Sequence, residues 1–123
     1  MNNTMTAGSG PFVFASDRSN EEVDPGIFRQ MLSYGAELMI CRVTFAAGAK
    51  GSVHSHPHSQ ATYVESGRFK ALVGGAEREL AAGDSIYIEP NVDHGTTCIE
   101  AGVLIDTFSP LREDFLADAE LVS

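Results

Sequence analysis

Apolar side chains recur along this chain in short alternating runs, with Gly, Pro, Asn or Asp between them. Alternation at period two is the mark of a strand that buries one face. On this basis strands are expected near residues 12–14, 27–33, 38–45, 61–66, 68–73, 77–80, 85–88, 95–99 and 103–108. Turn chemistry falls between them at Asp24-Pro25-Gly26, Gly48 to Gly51, Ser66-Gly67, Gly83-Asp84, Pro90-Asn91 and Gly102. Gly74-Gly75 reads as a hairpin, since two glycines reach positive φ without steric cost. No amphipathic run of helical length interrupts the series, which disfavours crossover helices and a parallel sheet. Many short strands in about a hundred residues imply a sandwich or a closed barrel. A single helix is expected over 111–119, on the spacing of Leu111, Phe115 and Leu116. Residues 1–10 are polar and aperiodic, and read as a flexible tail before one domain over 11–123.

Composition narrows the function classes. The chain has 123 residues, 43% hydrophobic and 20% charged, a globular composition with room for one core. Eight basic residues stand against 17 acidic ones, a net charge of -9. Nucleic-acid binding is disfavoured, because counterion release needs a stripe of Lys and Arg. The same charge repels an anionic membrane surface, and no apolar stretch approaches the ~20 residues that span a bilayer. The opening residues lack a secretory leader, and Cys41 and Cys98 are too few for a disulfide framework. A cytoplasmic protein with two free, buried thiols is the expectation. The acids Asp17, Glu21, Glu22 and Asp24 read as a solvated loop.

Candidate chemistry lies in the histidines. Three of the four fall in His54-Ser55-His56-Pro57-His58, and the fourth, His94, opens another expected strand. Residues i and i+2 of a strand share a face, so His54 and His56 form a ready two-imidazole clamp. Spacing alone leaves two readings open, a metal site and a solvated histidine cluster. Asp106 stands out separately. Val103 and Ile105 make one face of its strand apolar, and Leu104 and Phe108 the other, so the strand is buried on both. A carboxylate there must be paired, metal-bound or catalytic, or else serve a structural hydrogen bond at the strand end. By position alone Phe108 reads as core and Arg112 as a surface residue at a helix start.

The stretch from Gly48 to Gly67, G-A-K-G-S-V-H-S-H-P-H-S-Q-A-T-Y-V-E-S-G, resembles the first cupin motif, with Gln60 where an acid is usual. Gly83 to His94 resembles the second. It departs in the placing of Pro90, in Asn91 where Gly is usual, and in Cys98 where Asn is usual. Asn tolerates the left-handed conformation, so the turn is expected to survive. The resemblance implies a small all-β double-stranded β-barrel, a jelly roll, with a short C-terminal helical segment. It also implies one divalent metal ion per chain (Ni, Zn, Fe or Mn) on His54, His56, Gln60 and His94, with His58 at the rim. A neutral ligand set leaves the ion its full charge, which favours Lewis-acid over redox chemistry.

The run from Val103 to Phe115, together with the His-Pro-His-Ser-Gln stretch, is similar to cupins of the pectin degradation protein family. That likeness implies ring opening of 4,5-unsaturated uronates from pectin or alginate. It casts Asp106 as proton shuttle, Arg112 as catalytic and carboxylate-binding, and Phe108 as substrate-binding. A small anionic sugar as substrate and a homodimer are expected on the same ground. Two other functions remain open, a cupin dioxygenase acting on a small organic acid and a non-catalytic metal- or sugar-binding module.

Overall fold

The alternating runs pair edge to edge into one antiparallel sheet of seven strands in the computed structural model, which describes residues 8–116. A short 3-10 turn, Ala15–Asp17, precedes β1 (Asn20–Asp24), β2 (Ile27–Gly35), β3 (Leu38–Phe45), β4 (Ser59–Val73), β5 (Ala76–Ala81), β6 (Ser85–Ile88) and β7 (His94–Ser109). The order is β1-β2-β3-β7-β4-β5, with β6 on β4. The protein is therefore all-β, a small jelly roll. One short helix is described at residues 113–116, and the rest of the helix expected to 119 lies outside the described residues. No helix among the described residues is long and apolar enough to cross a membrane.

The core follows the alternation. Along β3, Met39, Cys41, Val43 and Phe45 are buried while the residues between them are less so. They meet Val64, Phe69 and Ala71 of β4 and Cys98, Leu104 and Phe108 of β7. Phe45 and Phe69 pack edge to face, with ring centroids 5.1 Å apart. Both thiols are free and buried, as their apolar neighbours imply. Burial, and secondarily Asp106, pushes Cys41 up to about 12.

Three expectations need correction. Ser66-Gly67 and Gly102 are not reversals but the bent middles of β4 and β7, which pair along their length from Ser59↔Ser109 to Val73↔His94. Bulges between Val64 and Phe69 absorb the bend and switch the inward parity of β4 from even to odd positions. Gly67 sits at φ 84, and a Cβ there would come within 2.6 Å of the Glu100 carbonyl. Glycine is thus demanded by close backbone approach, not by a turn. Residues 12–14 alternate correctly but pair with nothing as a strand, leaving Phe12 and Phe14 exposed. Of the acids expected in a loop, Asp17 ends the 3-10 turn, while Glu21, Glu22 and Asp24 lie on β1, an edge strand on β2 whose burial is too slight to leave a hydrophobic period. Of the tail expected over 1–10, residues 1–7 lie outside the described residues, while Ser9 exchanges hydrogen bonds with Tyr34.

Candidate metal centre

The segment between β3 and β4 runs back along the start of β7 as a third ribbon. Gly48 N bonds Cys98 O at 2.9 Å, Gly51 N bonds Thr96 O at 2.8 Å, and His54 and His94 exchange two backbone bonds of 2.9 Å. That exchange sets the two imidazoles side by side, with ring centroids 4.4 Å apart and planes tilted by 56°. His56 follows two residues on, and its carbonyl accepts from Asn91 N at 2.7 Å. Asn91 holds φ 66, the left-handed value expected of it, so the Pro90-Asn91 turn closes without a glycine. One ring nitrogen from each of His54, His56 and His94 lies within 4.8 Å of the others.

Backbone carbonyls orient the three rings. His54 Nδ1 faces Ser52 O at 2.8 Å, His56 Nδ1 faces His58 O at 3.1 Å, and His94 Nδ1 faces Val92 O at 2.9 Å. A carbonyl oxygen only accepts, so the neutral His54 and His94 rings carry their protons on Nδ1 and leave Nε2 as a lone pair, whereas His56 faces an acceptor at each ring nitrogen. His58 contributes its carbonyl. Its ring packs edge-on against His56, which suits the rim position expected for it.

Gln60 extends the set. Its Nε2 donates to Thr62 Oγ1 at 2.9 Å, and its Oε1 lies 2.9 Å from His56 Nε2. A neutral His56 ring has one proton for two facing acceptors, so one of its two contacts is lone pair against lone pair. His94 Nε2 is buried without a hydrogen-bond partner. Unshared lone pairs converging in this way suit a cation, and three imidazoles with an amide oxygen fit a metal ion. Desolvation lowers His56 and His94 below the usual imidazole range, although Gln60 opposes this at His56 and the Val92 carbonyl opposes it at His94. Both rings therefore stay neutral, as ligands must.

Beside them a cavity of about 730 Å³ is lined by His54, Gln60, His94, Thr62, Asp106, Phe108 and Arg112, among others. Asp106 lies opposite Thr62 across β4 and β7, and Thr62 donates to its Oδ1 at 2.6 Å. The residue keeps partial exposure, but its carboxyl is enclosed, and burial raises it above the usual carboxylate range. Phe108 is buried with its ring edge-on to His56, centroids 5.8 Å apart, and continues to Phe115 at 5.5 Å. Arg112 is not a surface residue. Its side chain is 11% exposed, and it grips Asp114 through Nε at 3.1 Å and Nη2 at 2.9 Å. Burial would raise Asp114, but that bidentate bond holds its carboxyl below the usual range.

Sequence reasoning missed two cavity residues. Thr62 is 2% exposed and touches both Gln60 and Asp106. The signal for it was its place two residues after Gln60 on one strand. Arg29 lies on β2 at the inward parity of Ile27, and its guanidinium sits 3.6 Å from the Phe115 ring centroid. Arg112 reaches the same ring at 4.1 Å, so two cations pack on one aromatic. Glu21, Glu22 and Asp24 of β1 also line the cavity.

This arrangement has known counterparts. The cupin domain family matches residues 41–108, which include the four donor residues, Asp106 and Phe108. The pectin degradation protein KdgF of Dickeya dadantii (strain 3937) is 44% identical over 98 residues, covering 78% of this chain and 89% of that protein. An RmlC-like cupin from Shewanella frigidimarina superposes with a TM-score of 0.85 at 47% identity, over 88% of this chain and 97% of that one. The structure of KdgF from Halomonas sp. superposes with a TM-score of 0.82 at 34% identity, over 87% of this chain and 99% of that one. With a converging triad of histidines, a jelly-roll sheet and a family match over more than half its length, the chain belongs to the cupin family.

Proposed function

We propose that this cupin opens the ring of 4,5-unsaturated hexuronates, the sugars that lyases release from pectin and alginate. One divalent ion per chain would be held by His54, His56, Gln60 and His94. The observation that carries the reading is an enclosed carboxyl, Asp106, on the same cavity as His54, Gln60, His94 and Arg112. The name of the Dickeya relative, a pectin degradation protein, supports pectin as the source of the substrate.

The substrate is a cyclic hemiacetal whose ring oxygen belongs to an enol ether. Asp106 takes the proton of the anomeric hydroxyl, the C1 carbonyl forms, and the C1–O5 bond breaks with its electron pair moving to O5. Asp106 then returns the proton to C4, leaving a ketone at C5, so the reaction is an isomerisation that needs no co-reactant. A raised carboxyl suits both halves, because a base that is too weak to hold the proton cannot deliver it. An ion held by His54, His56, Gln60 and His94 would supply Lewis-acid stabilisation of the negative charge that develops as the ring opens. Arg112, its fork shared with Asp114, orients the carboxylate, and Phe108 excludes water beside the reacting ring.

Metal-loaded protein given 4,5-unsaturated galacturonate should speed the loss of its conjugated double-bond absorbance without consuming oxygen. Asp106→Asn should retain metal and lose turnover by ~10²–10⁴-fold, the worth of general acid–base catalysis. If wild-type protein leaves the spontaneous rate unaltered, the uronate reading fails. Oxygen uptake would indicate a dioxygenase, and ligand binding without turnover a binding module.

A further inference from the structure

Thr62 does more than fill a core position. It lies on β4 opposite Asp106 of β7 and opposite Ile86 of β6, two residues after Gln60 on the same face. Its hydroxyl has one hydrogen, and that hydrogen goes to Asp106 Oδ1 at 2.6 Å. Toward Gln60 it can therefore only accept. The Gln60 amide must then present its NH₂ group to Thr62 Oγ1 at 2.9 Å, with Asp106 Oδ1 beyond at 3.4 Å. Its oxygen is left no direction but the histidines, 2.9 Å from His56 Nε2. Reversal of the amide would point two hydrogens at the centre and set its oxygen against Oγ1.

We infer that Thr62 is a positioning residue whose hydroxyl, polarised by Asp106, sets which end of the Gln60 amide faces the metal centre. The inference rests on the reading of Gln60 as a ligand. The role is particular to an amide. A carboxylate at position 60 offers oxygen in either orientation and needs no such control. Cupins that place an acid there would gain nothing from the hydroxyl in this respect, whereas a glutamine without it is held only by the long 3.4 Å contact to Asp106 Oδ1. The same hydrogen bond holds Asp106 toward the cavity, so one hydroxyl registers the proton shuttle against the ligand set.

The test is a double-mutant cycle on Zn²⁺ affinity, measured by calorimetry on the full chain with circular dichroism to confirm folding. Thr62→Val keeps the shape and removes the hydroxyl. It should weaken Zn²⁺ binding at least ~10-fold, within the range found for partners of metal ligands. Thr62→Ser should stay within about threefold of wild type. In the Gln60→Glu background Thr62→Val should cost less than about threefold, because no orientation remains to be set. Equal losses in both backgrounds, or no rescue by serine, would reduce Thr62 to a packing residue and overturn the inference. Gln60→Ala separates the two readings. If it weakens binding while Thr62→Val does not, only the positioning role falls; if it leaves Zn²⁺ binding intact, Gln60 is no ligand and both fall.

Discussion

Burial raises the Asp106 carboxyl, against the hydrogen bonds of Thr62 and Gln60 and the charge of Arg112, which hold it down. A carboxyl raised in the folded state keeps its proton longer than the unfolded chain does. Its stabilising contribution is therefore complete at low pH and is lost as pH rises from 3.8 through the raised value. Asparagine has no such proton to lose and still offers Thr62 an acceptor. Metal-free Asp106→Asn should thus melt above wild type at pH 7 and lose that advantage near pH 4, which thermal melts across this range would show. An advantage independent of pH would mean that burial of the charge is not its cause. The residue that carries the proposed reaction would then be one that costs the fold stability. Asp106 was legible because a charge broke a strand apolar on both faces. Thr62 and Arg29 were not, since a Thr or an Arg in a strand has many ordinary explanations. Only the register that sets Thr62 against Asp106, and the packing of Arg29 on Phe115, separates them from those.

Strands β3 and β6 fall at the bounds their alternation implies, Leu38–Phe45 and Ser85–Ile88. The long strands β4 and β7 do not, because a glycine interrupts the hydrophobic pattern of each at its middle, where the eye supplies a turn. Their pairing explains the glycines. A Cβ on Gly102 would come within 2.1 Å of the Ser66 carbonyl, and the two backbones cannot part without opening the ladder on either side. Gly102→Ala should cost about 2–4 kcal/mol of stability in denaturant unfolding, as backbone clashes of this kind do. Gly35→Ala, where nothing lies within 4 Å of the new atom, should stay within about 0.5 kcal/mol. Similar costs at the two positions would show that lost chain entropy, not contact, decides them. Strand β1 escaped notice for the opposite reason. It has too little buried surface to imprint a period, yet its acids reach the cavity.

A net charge of -9 surrounds a cavity proposed to take an anion. Long-range repulsion slows such an encounter, and added salt screens it. For 4,5-unsaturated galacturonate, kcat/KM should rise as ionic strength increases from about 10 to 150 mM, before local contacts with Arg112 are themselves weakened. A monotonic fall would mean that the Arg29 and Arg112 charges dominate the approach. The centre itself leans on the main chain for its construction. The Nδ1 atoms of the three rings face the carbonyls of Ser52, His58 and Val92, atoms that every amino acid possesses. Replacement of those three side chains leaves the carbonyls in place, so the identities at these positions can drift under other pressures without reorienting the imidazoles. The chemistry of the centre is in this sense inherited in large part with the path of the main chain, and the histidines, Gln60 and the Thr62 that orients it are what the gene must spell.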